Sequence, residues 1–255
     1  MEVATLSYLI AMAGKGGTGK TTLAGLAVRY LIEHGKKPVL AVDADANSNL
    51  NEVLGVRVEM TVGQAREEVK TGGGRVDMTK DQLVEYRINQ CLVEAEDFDL
   101  ICMGQPEGAG CYCAANNLIS HYMEVLSKNY PYIVMDNEAG MEHLSRLTTK
   151  DVNLLLIVSD PSFRGIQAAR RVHEVAKSLH IVMGETALIV NRLTNGIPPR
   201  SQEEIKNWGL PLAGVIPEDP LIAEYDGLGK PTVALPHDSA AVKAVYDILN
   251  RLVQK

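Results

Sequence analysis

The run Gly14-Lys15-Gly16-Gly17-Thr18-Gly19-Lys20-Thr21 is the stretch of this chain best suited to chemistry. Its spacing is G-x-x-x-x-G-K-[ST], the pattern of a loop that cradles phosphate. Glycines let successive backbone N–H groups converge on phosphate oxygens, because no Cβ stands in the way. A helix beginning at Lys20 would present its positive end to the same anion. Lys20 is placed to reach the β- and γ-phosphates and the Thr21 hydroxyl to bind Mg²⁺, with Thr22 beside them. The competing account is a glycine-rich turn that matches by accident. For four specified positions in a chain of 255 residues, chance matching is on the order of one in a hundred. Phosphate binding is therefore the reading adopted.

Carboxylates follow in an order that suits the same chemistry. Val42-Asp43-Ala44-Asp45 ends a second apolar run. Carboxylates at i and i+2 of a strand point the same way, where they can hold magnesium-bound water and orient an attacking one. The plainer alternative is a polar turn in which Asp45 caps a helix. Tyr132-Ile133-Val134-Met135-Asp136 is another apolar run ending in aspartate. Asn137-Glu138-Ala139-Gly140 comes next, and a glycine there lets the backbone reorient when a phosphate leaves.

Cys111-Tyr112-Cys113 lies in a glycine-rich stretch after another apolar run and opens a helical pattern. Thiols at a helix N-terminus lose protons more readily, and two of them can grip one soft or borderline metal. Two ligands are half of a four-coordinate site, and a twofold dimer would supply the other half. Spacing by itself favours the opposite reading, two small thiols buried behind the loop. Cys91 and Cys102 are assigned to packing, and His121 and His143 to core or solvent.

These groups need a scaffold that gathers run ends on one side. Apolar runs at Leu6–Ala13, Pro38–Val42, Leu100–Met103, Tyr132–Met135, Asn153–Val158, Thr186–Asn191 and Leu212–Ile216 are mostly continuous, not alternating. Strands buried on both faces of a parallel sheet look like this. Helical spacing covers Lys20–Glu33, Cys113–Lys128, Gly165–Leu179, Arg200–Trp208 and Ser239–Val253. Asp160-Pro161-Ser162 reads as a turn and cap. The alternation predicts an α/β fold: a doubly wound, mostly parallel sheet of about seven or eight strands flanked by helices, the P-loop NTPase fold. Ligands of such sheets bind outside the carboxyl ends of the strands. Residues 1–255 read as one domain, with an irregular insertion with short helices at 57–96 that is polar, charged and broken by Gly72-Gly73-Gly74.

Composition narrows the classes. Apolar residues make up 46% and charged residues 22%, ordinary for a globular chain that folds without disulfide or metal. No apolar run could span a bilayer, and no basic-then-apolar leader opens the chain, so a cytoplasmic location is expected. A net charge of −7 argues against indiscriminate binding to nucleic acid or anionic membrane. At Ser239–Val253 the apolar face carries Val242, Val245, Leu249 and Leu252, and the polar face mixes Lys243, Asp247 and Arg251. Mixed charge suits packing on the domain better than lying on lipid.

The loop also carries a second lysine, Lys15, where phosphate binding needs one. In this it resembles the deviant Walker A loop of the MinD, ParA and nitrogenase iron-protein superfamily. Lys15 is either a solvated loop charge or, as the resemblance implies, a contact to nucleotide on the facing subunit of a homodimer closed by ATP. The resemblance implies catalytic roles for Lys15, Lys20 and Asp45, the last as the switch I residue that positions the hydrolytic water. It implies contacts to ATP or ADP from Gly14, Gly16, Gly17, Thr18, Gly19, Lys20, Thr21, Thr22 and Asp43. Asp136 is similar to the Walker B aspartate, and the residues after it to switch II. Asn191 and Arg192, with Pro217 and Glu218, match the segments that flank the base, and the Asn191 amide can pair with the adenine edge.

With the cysteine pair and Asp160-Pro161-Ser162 added, the chain resembles the CooC family, nickel-associated maturation ATPases of carbon monoxide dehydrogenase. That implies slow ATP hydrolysis with Mg²⁺, and Ni²⁺ or Zn²⁺ on Cys111 and Cys113 at a dimer interface. It also implies carbon monoxide dehydrogenase apoenzyme as client, and neither nucleic acid nor membrane as partner. The alternative is a MinD- or ParA-like spatial organiser acting on membrane or DNA without a metal site. An iron-protein-like reductase is disfavoured because Asn137–Met141 contains no cysteine.

Overall fold

The computed structural model describes residues 7–45, 47, 49–70, 79–104, 126, 128–137, 152–178 and 182–253. Its strands are β1 (Tyr8–Gly14), β2 (Val39–Ala44), β3 (Leu92–Glu94) and β4 (Phe98–Cys102), then β5 (Tyr132–Asn137), β6 (Val152–Ser159), β7 (Met183–Leu193) and β8 (Leu212–Pro217). They form one eight-stranded sheet in the order β3-β4-β2-β5-β1-β6-β7-β8. β3 pairs antiparallel with β4, and the other pairings are parallel. This is the doubly wound sheet the apolar runs predict.

The helices are α1 (Lys20–Glu33), α2 (Leu50–Leu54), α3 (Val62–Lys70), α4 (Lys80–Cys91), α5 (Phe163–Ser178), α6 (Pro199–Trp208), α7 (Pro220–Gly227) and α8 (Ala240–Leu252). One core cluster joins Ile10, Met12 and Leu156 of the sheet to Leu23 and Leu26 of α1 and Val245 and Leu249 of α8. The other joins Ala11, Ala13 and Ile157 to Val62 of α3, Ile88 of α4 and Ile166 of α5. Burial on both faces is why the strands show no polar alternation.

Three differences from the sequence reading have local causes. Segment 57–96, expected as irregular with short helices, is more ordered than that: its described residues hold α3, α4 and edge strand β3. Its helices start with reciprocal caps, Thr79 with Gln82 and Thr61 with Gln64. An ion pair of 2.9 Å between Arg87 and Glu68 ties α3 to α4, and the segment ends in edge strand β3. α2 and α7 are short enough to escape a periodicity count. β7 runs well beyond Thr186–Asn191, because its partly exposed early residues pair with β6. The helical pattern at Cys113–Lys128 lies almost wholly outside the described residues.

α1 carries a glycine in its interior, which ordinarily costs about 1 kcal/mol against alanine. Here a Cβ on Gly25 would lie 2.2 Å from Cγ1 of Val53 in α2. Close approach of α2 outweighs helix propensity. Gly25→Ala is expected to destabilise the protein by about 1–2 kcal/mol in urea unfolding, with Val53→Ala in the same chain recovering part of the loss. A more stable Gly25→Ala single variant would show that α2 yields instead.

Candidate nucleotide-binding site

β1 ends in Gly14 at a φ of 148°, and a Cβ there would sit 2.2 Å from the Val158 carbonyl oxygen of β6. Only glycine lets the strand end lie that close to its neighbour. The chain then turns through Lys15–Gly19 into α1. The Lys15 carbonyl is the internal acceptor of this loop, taking the Thr18 hydroxyl at 2.9 Å and the Lys20 ammonium at 3.3 Å. Lys20 is buried, whereas Lys15 is exposed. Gly19 caps α1 in the left-handed region with no side-chain bond, and no acidic residue sits in the first turn. The first N–H groups of α1 are thus left for an anion.

Asp43 and Asp136 stand in register on β2 and β5, at 0% and 1% exposure. Burial pushes the Asp43 carboxyl up to about 6 despite hydrogen bonds from the main chain. Burial likewise raises Asp136 to about 7, with a Thr21 hydrogen bond and Lys20 opposing and Asp43 adding to the rise. The Asp43 oxygens accept the N–H of Asp45 at 3.1 Å and of Leu50 at 2.9 Å. Asp43 therefore shapes the loop that carries Asp45. Asp45 in turn accepts the N–H of Asn47 at 2.9 Å. The sequence reading weighed a water-holding pair against a polar turn, and in this loop both carboxylates take turn-type bonds.

Oδ1 of Asp136 is buried with no hydrogen-bond partner among the described residues. An orphaned carboxylate oxygen next to the Thr21 hydroxyl is an arrangement that fits Mg²⁺ or its bound water. Asn137, the next residue, donates its amide to the Met12 carbonyl of β1 at 2.8 Å and so fixes the end of β5 against the phosphate loop. Sequence reasoning gave Asn137 no such role. A polar residue inside an apolar strand end was the available signal.

On the far side of the loop, the Asn191 amide donates to the Thr18 carbonyl at 2.8 Å and accepts the Arg192 N–H at 2.9 Å. These bonds leave one amide N–H and one lone pair for a base. Arg192 has φ 57°, uncommon for a non-glycine residue, where β7 and β8 slip in register between Val190 and Leu193. A Cβ on Gly19 would meet the Asn191 nitrogen at 2.3 Å. A cavity of about 230 Å³ opens beside these residues, with Arg192, Pro217 and Glu218 around it and Leu23, Ile222 and Val245 as apolar walls. Thr22 also lines it. The structure thus gathers the phosphate loop, Asp43, Asp45, Asp136 and the base-flanking segments at the carboxyl ends of the strands. Cys111 and Cys113, with His121 and His143, lie outside the described residues. Among the described residues no three His, Cys, Asp or Glu side chains group to hold a metal ion. Cys91 and Cys102 are buried, and burial pushes both thiols up to about 12.

A phosphate loop, a buried aspartate facing it and a base-sized cavity on a parallel sheet define a P-loop nucleotide-binding protein. The chain belongs to the CobQ/CobB/MinD/ParA nucleotide-binding domain family, whose model matches residues 9–233. An uncharacterised ATP-binding protein of Methanocaldococcus jannaschii is 39% identical over 255 residues, covering 97% of this chain and 99% of its own. The carbon monoxide dehydrogenase accessory protein CooC of Rhodospirillum rubrum is 34% identical over 187 residues, covering 68% and 70%. The Mg-ADP complex of the septum site-determining protein MinD from Pyrococcus horikoshii has the same fold, with a TM-score of 0.72 at 24% identity, covering 98% and 97%.

A carboxyl whose pKa is raised by folding lowers stability as pH rises from its unfolded value, 3.8, through its folded one, about 7 for Asp136. Asp136→Asn should therefore stabilise the ligand-free protein at pH 8 by about 1–3 kcal/mol, and by less at pH 5. The same variant should weaken Mg²⁺-dependent nucleotide binding. Thermal unfolding at the two pH values, with calorimetric titration of Mg·ADP, checks both. An equal or lower melting temperature for Asp136→Asn at pH 8 would contradict the buried-charge account.

Proposed function

We propose that the protein is an ATP-dependent metallochaperone: it hydrolyses Mg·ATP slowly, closes a homodimer on nucleotide, and assists nickel insertion into carbon monoxide dehydrogenase. The observation that carries this reading is the end of β4. The Met103 N–H donates to the Asp43 carbonyl at 2.8 Å, and the Met103 carbonyl accepts the Gly63 N–H at 2.8 Å. Gly104 follows, and Cys111 and Cys113 come within ten residues of it in the chain. The strand end that leads toward the thiols in the chain is thus bonded to Asp43 itself and to the start of α3. The likeness to the carbon monoxide dehydrogenase accessory protein CooC of Rhodospirillum rubrum supports the client.

In this reading Lys20 leaves the Lys15 carbonyl for the β- and γ-phosphates, and the N–H groups at the start of α1 hold their oxygens. Mg²⁺, held by Thr21 with Asp136 at its shell, would neutralise charge on the phosphates. Asp45 orients the attacking water and accepts its proton. Asn191, Arg192, Pro217 and Glu218 receive the base. The thiols of Cys111 and Cys113 from two subunits would take one Ni²⁺ or Zn²⁺ as cargo, losing protons as they do, so metal affinity falls as pH drops.

The rival reading is a spatial organiser on membrane or DNA. The apolar face of α8 is consumed within the domain: Val242, Val245, Ile248 and Leu249 are buried. That favours packing over a lipid-facing role for this helix.

Asp45→Ala should bind ATP but not hydrolyse it. Lys15→Ala should bind ATP within a few-fold of wild type and lose ATP-induced dimerisation in light scattering. An unchanged ATP-dependent dimer in Lys15→Ala would reject the cross-subunit role. Elemental analysis with calorimetry should find one metal per dimer, lost in Cys111→Ala and in Cys113→Ala with ATP binding retained. One tightly held metal per monomer, or full retention in both variants, would return the pair to buried thiols.

A further inference from the structure

Asp219 follows the base-flanking pair Pro217-Glu218 directly and is itself buried. Its Oδ1 accepts the N–H of Leu221 at 3.0 Å, which caps α7. Its Oδ2 accepts the Ser239 hydroxyl at 2.6 Å and the Ala241 N–H at 3.1 Å, both at the start of α8. Burial pushes the carboxyl up, and the donors from Ser239 and the main chain of Ala241, Leu221 and Ala240 more than reverse this, so its pKa lies below the usual carboxylate range. Ser239 in turn accepts the Val242 N–H at 3.2 Å. One carboxylate thus joins two helix starts 20 residues apart to the loop that ends β8.

The consequence reaches the cavity. Ala241 and Val245 of α8 line it together with Pro217 and Glu218. None of the phosphate-loop residues bonds to this junction among the hydrogen bonds described. The base half is walled by β8, α7 and α8 together with Leu23 of α1 and Asn191 of β7, and it meets the phosphate half through the Asn191 bond to the Thr18 carbonyl. Asp219 fixes the first turn of α8 to the base half, while farther along the helix Arg251 donates to the Ala213 carbonyl of β8 at 2.7 Å.

We propose that Asp219 is a positioning residue for nucleobase recognition, holding the Pro217-Glu218 loop and the first turn of α8 as one rigid wall of the base pocket. The proposal rests on the reading that the base lies against Asn191, Arg192, Pro217 and Glu218. It separates two parts of nucleotide affinity: the base part depends on Asp219, and the phosphate part does not.

The test is calorimetric titration of Mg·ADP and of Mg·tripolyphosphate, which has phosphates and no base. The variant is Asp219→Ser, whose hydroxyl still caps Leu221 but is too short to reach Ser239 and Ala241. Asp219→Ser is expected to bind ADP at least tenfold more weakly and tripolyphosphate within twofold of wild type. Ser239→Ala, which removes one donor to Asp219 and the side-chain cap on Val242, should weaken ADP by a few-fold in the same selective way. Unchanged ADP affinity in Asp219→Ser overturns the proposal, and so does an equal loss for both ligands. If Asp219→Ser fails to fold, Ser239→Ala decides: selective loss of ADP supports the proposal, and unchanged ADP affinity overturns it. A wild-type protein that binds ADP no better than tripolyphosphate would reject the base-site reading and the proposal together. A wild-type preference for ADP that survives in Asp219→Ser rejects the positioning role alone.

Discussion

Two buried carboxylates held side by side are the constraint on which the site is organised. Asp43 and Asp136 occupy matched positions on neighbouring parallel strands, and both are raised well above ordinary aspartate values. Burying like charges at that range is unfavourable, and the main-chain donors to Asp43 offset only part of the cost. What keeps them there is the apolar sheet. β1, β2 and β5 are buried along almost their whole length, and their register fixes where the two carboxyls end up. Strand packing thus stabilises an arrangement that the site by itself would not keep, a division found where function overrides local stability.

The remaining parts act as struts around that pair. Lys20 is held in reserve on a carbonyl of its own loop, so its charge is close to Asp136 before any phosphate arrives. Asn137 anchors the end of β5 to β1, and Asn191 anchors the end of β7 to the phosphate loop. Each is an amide reaching from a strand end to a main-chain carbonyl of another segment. Side-chain amides suit this work because they carry donor and acceptor without charge, in a region already crowded with charged groups.

Much of this was legible in the sequence, and the reasons are specific. Continuous apolar runs identify buried parallel strands, and the loop of Gly14 to Thr21 marks where phosphate binds. Asp136 and Asp43 are readable because each ends such a run. What escaped notice was set by contacts distant in sequence. Nothing near Asp219 announces that its second oxygen will cap a helix 20 residues later. Nothing near Asn191 announces a bond to Thr18, 173 residues away. β3 was hidden inside a polar segment because a three-residue edge strand carries too little pattern to see. The capping pairs Thr61/Gln64 and Thr79/Gln82 are visible as T-x-x-Q and mark where the short helices expected in this segment start.

Charge balance explains why such a site calls for a metal and an anion together. Asp43, Asp45 and Asp136 cluster around one buried ammonium, Lys20, in a chain whose net charge is −7. A bare triphosphate brought to this cluster meets the carboxylates as well as the lysine, and in low dielectric that repulsion is worth several kcal/mol. A divalent cation brought alone finds one orphaned oxygen and a hydroxyl, too few ligands for a hard ion that prefers six oxygens. Each deficiency is the other's remedy. A bound cation would relieve the carboxylates, and phosphate oxygens with water would supply the ligands it lacks. The raised pKa values make the same point from the proton side. Without the cation, the pair lowers its cost by holding protons, so occupancy by cation and occupancy by proton compete at the same oxygens.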